Sequence, residues 1–458
     1  MKKALTQEER TNQILTEPVD RLIVGLAGPA VLSMLITAIY NMADTFFVSQ
    51  IGTSASAAVG VTFSLMAIVQ AFAFMIGQGA GNNISRLLGA GEKTKAEEFA
   101  AVGFFTELIV GVLLSVFCLL TQDKMVYWLG ATDTIAPYAR DYMQWIALGF
   151  PFIMGSFGMN NILRFQGHAA KGAAGMMTGG ILNMLLDPLF IFGFGLGTKG
   201  AAIATAISQM VSFTIMLVQS NRGAGALKIR FCRFRPTAKM YLSIVHVGLP
   251  SLARQGIVSL STIIFNHAAA PYGDACIAAF SIVNRITGFI SSAIIGVGQG
   301  FQPVCGTNYG AGRYSRVMEA YRFLRKITLI ILLVCAVAAF AFATPLIRIF
   351  RKEDEEVVRI GTTFLRYQAV TLPLFSLICS NNMCSQTCGY GLRATLLSCL
   401  KNGLCLIPLL LILDSVLGLQ GLQLAQPLAD VFSAIISVLV MRPILRELKK
   451  PDAGTRAE

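Results

Sequence analysis

Twelve long apolar stretches run through the chain, separated by short polar or glycine-rich breaks. They fall near residues 22–49, 55–84, 99–120, 136–161, 172–193, 200–219, 241–270, 276–305, 323–350, 357–385, 394–417 and 420–445. At 1.5 Å per residue, each can cross roughly 30 Å of hydrocarbon as a helix. Several run past about twenty residues, which predicts tilt or extension beyond the bilayer. The pattern predicts an all-α membrane protein with 12 transmembrane helices.

The stretches repeat. Shifting the chain by 221 residues lays Pro29 on Pro250, Gly52 on Gly273, and Ala57-Ala58 on Ala278-Ala279. Gly77-Gln78-Gly79 falls on Gly298-Gln299-Gly300, and Gly89-Ala90-Gly91 on Gly310-Ala311-Gly312. With one extra residue, Pro151, Gly167 and Lys171 fall on Pro373, Gly389 and Arg393. Chance poorly explains two ungapped triplets at one offset. The chain therefore divides into an N-terminal lobe (1–220), a basic linker (221–240) and a C-terminal lobe with its tail (241–458). Six spans per half is an even number, so the halves enter the membrane in the same direction. They are expected as parallel six-helix lobes related by a pseudo-two-fold axis along the membrane normal, an arrangement that in transporters holds its sites near the midplane.

Composition agrees. The chain is 55% hydrophobic and 13% charged, where a soluble domain carries about 25% charged residues. Its 43 glycines suit helices that pack closely in lipid. The net charge of +13 could suggest a nucleic-acid partner, but its placement excludes that reading. The N-terminus, the even-to-odd loops and the C-terminus hold 27 of the 37 Lys and Arg, Arg164 and Lys401 among them, and the opposite side holds seven. Arg254, Arg285 and Arg366 fall inside spans. This bias puts both termini in the cytoplasm. Residues 1–20 lack the apolar core of a cleavable signal peptide, so the first span is expected to direct insertion. The ten cysteines show no CxxC pair, and most sit in apolar runs as small hydrophobes. No P-loop, GxSxG or HExxH motif is present, so neither ATP hydrolysis nor another enzyme activity is expected.

Ionisable residues inside spans are costly and are functional candidates by default. Asp44 lies in the outer half of the first span, Asp187 in the outer half of the fifth. Asn183 and Asp187 share a helix face, four residues apart. Thr205 lies at similar depth on the sixth. These oxygens could hold a hard cation such as Na⁺. The two carboxylates could instead share one proton, since burial and a like charge both disfavour a second ionised group. Asp187 could also merely bond a neighbouring helix at its Pro break. Glu107 is expected near a solvated helix end, and Asp414 at an outer one. Asp430 lies deep in the last span, with Arg254, Arg285 or Lys401 as possible partners. Pro29 and Pro250 are expected to bend the first and seventh spans, whether as static or moving kinks. Asn160-Asn161 and Asn381-Asn382 could line a polar cavity or bond between helices. The Gly-Gln-Gly and Gly-Ala-Gly pairs read as close-packing and turn residues.

Taken in order, Asn41-Met42-Ala43-Asp44-Thr45, Ile84-Ser85-Arg86-Leu87-Leu88-Gly89-Ala90-Gly91, Asn183 through Asp187-Pro188-Leu189-Phe190-Ile191-Phe192-Gly193, and Gly200-Ala201-Ala202-Ile203-Ala204-Thr205-Ala206 resemble the multidrug and toxic compound extrusion (MATE) family. The resemblance extends from Leu22 to about Leu445. It implies a bacterial inner-membrane antiporter, working as a monomer without a cofactor or nucleic-acid partner. Amphiphilic, often cationic, organic compounds would leave by alternating access in exchange for H⁺ or Na⁺. It also implies a cation-coupling site at Asp44, Asn183, Asp187 and Thr205, and substrate contacts at Tyr40 and Asn160. Spans seven and ten carry no acid, unlike the NorM-like branch, which favours the DinF-like branch and a site in the first lobe. A flippase for a lipid-linked or amphiphilic intermediate is the alternative class, and it predicts no dependence on a cation gradient.

Overall fold

The computed structural model describes residues 5–222, 226–351 and 354–452, and all its regular structure is helical. Residues 223–225 of the expected linker, and Lys352, lie outside the described residues. Sixteen α-helices follow in chain order: α1 (Gln7–Thr16), α2 (Val19–Ser49), α3 (Thr53–Gly89), α4 (Lys93–Trp128), α5 (Ala136–Phe165), α6 (Ala169–Pro188), α7 (Gly197–Arg222), α8 (Ala238–Ala269), α9 (Asp274–Gly310), α10 (Tyr314–Ala341), α11 (Ala343–Phe350), α12 (Glu355–Thr371), α13 (Phe375–Thr387), α14 (Gly391–Cys399), α15 (Leu406–Leu417) and α16 (Leu419–Glu447).

Among the described residues, eleven helical segments are long and apolar enough to cross a membrane. The tenth expected span is not among them. A 3₁₀ turn at Leu372–Leu374 separates α12 from α13, and Pro373 within it supplies no N–H to continue the α-helical ladder. Its counterpart Pro151 stays inside α5. The ninth span also ends early, at Ala341. Pro345 cannot donate the bond that would continue the helix onto the Ala341 carbonyl, and the chain restarts as α11. The polar amino terminus is not structureless. Thr6 and Glu9 form a capping box at the start of α1, with bonds of 2.7 and 3.2 Å.

The first and last described segments lie at one end of the bundle. The α1 side chain Arg10 donates to the Gly167 carbonyl at 2.8 Å, and Arg313 donates to the Leu15 carbonyl at 2.8 Å. Asp452 accepts from Ser315 N–H at 2.9 Å. One hydrophobic cluster runs from Val48 on α2 to Ile244 on α8. The beginning of α2 is different: Leu22, Ile23, Leu26 and Ala27 join a cluster made mainly by α9, α10, α13 and α16. A third cluster unites Phe265 with α9, α12 and α15. The first helix of each half is therefore shared across the boundary.

Glycines make this sharing possible. An added Cβ on Gly89 would strike the Thr307 carbonyl, and one on Gly310 would strike the Arg86 carbonyl. These four positions are exchanged by the 221-residue repeat, so α3 and α9 cross backbone to backbone on the pseudo-symmetry axis. Nearby, Gly79 abuts the Ile244 carbonyl, Gly248 the Met75 carbonyl, and Gly300 the Ala27 backbone. Gly91 and Gly312, at φ +78° and +70°, end the two crossing helices in the left-handed region. The paired triplets are close-packing and turn residues, as their pattern indicated.

Gly89→Ala and Gly310→Ala are expected to destabilise the protein by about 1–3 kcal/mol each, the usual cost of overpacking. Gly25→Ala, where nothing lies within 4 Å of the added carbon, serves as the control. Thermal unfolding of the purified variants checks this, and equal stability of all three would dismiss the crossing as a constraint.

Candidate functional site

Three helices bring the sequence-derived set together. Asp187 closes the last turn of α6, where Pro188 and a π-turn at Leu189–Gly193 end regular helix. Gly200 lets the next helix pass close against the Phe190 carbonyl, which an added Cβ would meet at 2.7 Å. That approach sets Thr205 of α7 beside α6. The Asn183 amide donates to Asp187 Oδ1 at 3.1 Å and to Thr205 Oγ1 at 3.2 Å. Asp187 is fully buried. Asp44, on α2, lies within electrostatic reach of it. With Tyr40, Tyr142, Thr205 and Gln209, Asp44 lines a cavity of about 40 Å³, more than one water needs. Tyr40 sits one turn before Asp44, against Gly180, whose missing side chain leaves room for the ring.

The bonding is incomplete in an informative way. Asp44 Oδ1, Asn183 Oδ1, Asp187 Oδ2, Ser208 Oγ and Gln209 Oε1 are all buried without a hydrogen-bond partner. Buried polar atoms are nearly always satisfied. Here acceptor oxygens from α2, α6 and α7 lack donors, and among the described residues no Lys or Arg pairs with either carboxylate. Such a set suits a hard cation or a proton.

Asn160 lines a larger cavity of about 300 Å³, bounded from both halves by Ser33, Gln70, Arg254 and Gln299. It shares Gln70 and Phe157 with the smaller one. Tyr40 and Asn160 thus belong to two adjoining cavities. Asn161 lines the larger cavity as well, while Asn381 and Asn382 bond between helices. Asn381 accepts from Tyr321 at 2.6 Å and donates to Ser437 at 3.1 Å, while Asn382 donates to Ser398 at 2.8 Å. Pro29 and Pro250 both lie within continuous helix, in α2 and α8.

Asp430 has found Lys401, at 3.4 Å, and also accepts from Gln426 and Thr371. Lys401 had counted as a loop cation. It sits instead in a π-turn at Leu400–Leu404, reaching the interior where regular helix is interrupted. Asp414 accepts from Tyr272 at 2.7 Å. Two expectations fail. Glu107 is not near solvent: it is fully buried, neither oxygen is bonded, and its carboxylate occupies the gap left by Gly158 and Gly77. Arg164 is likewise no loop residue. It is buried and bridges the halves, donating to the Gln299 carbonyl at 3.1 Å and Gln302 at 3.0 Å.

One cluster escaped the sequence reading. The sulfurs of Cys305, Cys384 and Cys388 lie within 4.8 Å of one another, all buried. The only signal was the four-residue spacing of Cys384 and Cys388, which puts them on one face. Nothing in the sequence announced Cys305 opposite them.

Residues 29–189 and 250–412 each match the MatE family. Multidrug export protein MepA of Staphylococcus saprophyticus is 26% identical over 414 residues, covering 90% of this chain and 91% of that protein. MepA of Staphylococcus aureus strain MSSA476 is 25% identical over 453 residues, covering 99% and 100%. The outward-facing structure of a multidrug resistance MATE family transporter of the MOP superfamily superposes with a TM-score of 0.91 at 27% identity, covering 96% of this chain and 98% of that one. The crystal structure of MATE in complex with MaL6 gives the same TM-score and identity, covering 96% and 99%.

Lys401→Met would leave the Asp430 carboxylate buried without its cation, at a cost of about 3–5 kcal/mol. Combining it with Asp430→Asn should restore most of that loss. Thermal unfolding in detergent tests both, and a single variant as stable as the parent would remove the pair from the structural account.

Proposed function

The chain belongs to the MatE family of membrane transporters, which are not enzymes, and we propose that it is a secondary multidrug efflux antiporter working by alternating access. The observation that carries this reading is the group of donor-less buried oxygens around Asp44 and Asp187, next to a cavity bounded by both halves. The naming of MepA as a multidrug export protein supports an export role, and we infer amphiphilic organic compounds, cationic ones included, as the substrates.

In this reading residues 1–220 and 241–458 act as the two lobes, joined by the basic 221–240 segment. Both termini face the cytoplasm, in the inner membrane of a bacterium. The chain works as a monomer, the lipid bilayer its only standing partner. A carboxylate held in hydrocarbon without a counter-charge is costly. Loading Asp44 and Asp187 with H⁺ or Na⁺ removes that cost and lets the first lobe close around them, with Asn183 and Thr205 supplying further oxygens. Losing the cation restores negative charge beside the larger cavity, where Asn160 meets the substrate and Tyr40 reaches it from the adjoining smaller one. Binding of one partner thereby disfavours the other, which is what exchange requires. Bending at Pro29 and Pro250 would reshape the cavity during the cycle. Acid-free spans seven and ten and the acids of the first lobe support membership of the DinF-like branch.

Asp44→Asn and Asp187→Asn are each expected to slow ion-driven efflux from proteoliposomes at least about tenfold, the scale set by losing one charge-assisted contact. Undiminished efflux in both variants would remove the site. Collapsing the H⁺ and Na⁺ gradients separately names the coupling ion. Transport indifferent to both gradients would favour a flippase.

A further inference from the structure

Lys401 and Arg254 both border the cavity of the second half, one of them paired and the other not. Lys401 is tied to Asp430 and lies over the Phe375 ring at 4.6 Å. Arg366 lies over Phe340. Arg254, on α8 one turn past Pro250, has neither kind of partner among the described residues. The acids that could reach into this region are engaged: Asp430 by Lys401, Gln426 and Thr371, Asp414 by Tyr272, and Glu447 by Tyr390. Arg254 is half-buried. It borders the cavity of about 300 Å³ between the halves and a second of about 320 Å³ within the second half. Each volume suits a drug-sized ligand. The second cavity also presents Asn284, Asn402 and Gln426, amid apolar walls that include Phe280 and Phe375.

A bare guanidinium at membrane depth is expensive, and where it is retained it marks a ligand or an ion path. Its planar fork of donors matches carboxylate and phosphate oxygens two at a time. With Lys401 and Asp430 cancelling, Arg254 leaves this side of the cleft positive. The opposite side, around Asp44 and Asp187, holds acceptors without donors. The cleft is therefore bipolar. We propose that Arg254 forms an anion subsite for the carboxylate or phosphate group of an amphiphile. The preferred substrates are then zwitterionic rather than purely cationic, with the anionic end at Arg254 and the cationic end towards the first half. This rests on the chain being an efflux transporter, and it refines the substrate class. An anionic lipid headgroup offers the same chemistry as a solute.

The test is equilibrium binding to the full-length protein in phosphatidylcholine nanodiscs. The probes are a xanthene dye with a free carboxylate and its methyl ester, followed by fluorescence anisotropy. The wild type should bind the acid more tightly than the ester. Arg254→Gln should weaken the acid roughly tenfold and leave the ester within about twofold, and Arg254→Lys should recover part of the loss. The ester control and an unchanged unfolding temperature separate this from misfolding. No preference for the acid in the wild type, or an equal change for both dyes in Arg254→Gln, overturns the subsite. Nanodiscs containing phosphatidylglycerol distinguish the sources. Competition against the acid in the wild type, absent in Arg254→Gln, supports a headgroup as the anion, and no competition supports a solute. Binding needs neither a gradient nor turnover. Failure of ion-driven efflux would therefore defeat the antiporter reading and leave this result standing.

Discussion

Backbone contact between α3 and α9, glycine against carbonyl, is the constraint on which the rest of the arrangement depends. Two helical surfaces in lipid gain nothing by hiding from water, so their association rests on close approach and on polar bonds. Gly89 against Thr307 and Gly310 against Arg86 supply that approach twice, by symmetry, at the end that carries the first and last described segments. The neighbouring contacts of Gly79, Gly248 and Gly300 then force the start of α2 onto α9 and the start of α8 onto α3. In this structure the halves are zipped together at one end and stand apart beyond it. The cavity between them, lined by Asn160 and Arg254, lies in the space where the glycine contacts stop.

Buried polar groups sort by whether their bonds are complete. Arg164 ties α5 to α9, Asn381 ties α10, α13 and α16 together, and Gln386 donates to the Val247 carbonyl and to Ser251 on α8. Those residues have used most of their bonding capacity on other helices, which is what interhelical glue does. Asp44, Asp187, Gln209 and Glu107 retain unbonded oxygens in the same interior. Leaving such an atom without a partner costs more than a made bond returns. Other unbonded atoms, such as Gln78 Oε1, Asn82 Oδ1 and Ser433 Oγ, are scattered through the interior, whereas those of Asp44, Asp187 and Gln209 gather on α2, α6 and α7, and that concentration is set up to receive something. Glu107 differs from the other three in facing the gap left by Gly77 and Gly158, away from the residues that line the small cavity.

The fold was largely legible because its determinants are periodic and additive. Apolar length gave the spans, and the 221-residue spacing of Pro29 and Pro250, or of the glycine triplets, gave the repeat. Asn183 and Asp187 were legible as a pair because four residues is one helical turn. What escaped depends on rotation about a helix axis or on a single break. The sequence puts Glu107 and Arg164 near the membrane surface, since position along a helix does not reveal which neighbour its face meets. Lys401 reaches the interior for a related reason: it sits inside a π-turn, where the α-helical register is broken. The tenth span broke at Pro373 while Pro151 left α5 intact, although the repeat equates them. Proline sets a local cost, and the surrounding packing decides whether the helix ends there. At Pro151 the bare face of Gly111 accepts the ring-bearing backbone.

Comparison of equivalent positions shows how one scaffold carries two chemistries. Where the first half has Asp44 beside Val59 in a small polar cavity, the second has Phe265 stacked on Phe280, ring centroids 3.4 Å apart, with Phe364 beyond. The aromatic pair fills the volume that the carboxylate leaves open. Conversely, Gln209 of the first half corresponds to Asp430 of the second, and there the acid is closed off by Lys401. Ser33 corresponds to Arg254, so the second half gains a cation where the first has a neutral hydroxyl. Each exchange keeps the backbone contacts of the repeat, because none of these positions is one of the glycines that make them. The symmetric part of the sequence therefore builds and closes the cleft, and the asymmetric part sets the charge on each of its walls.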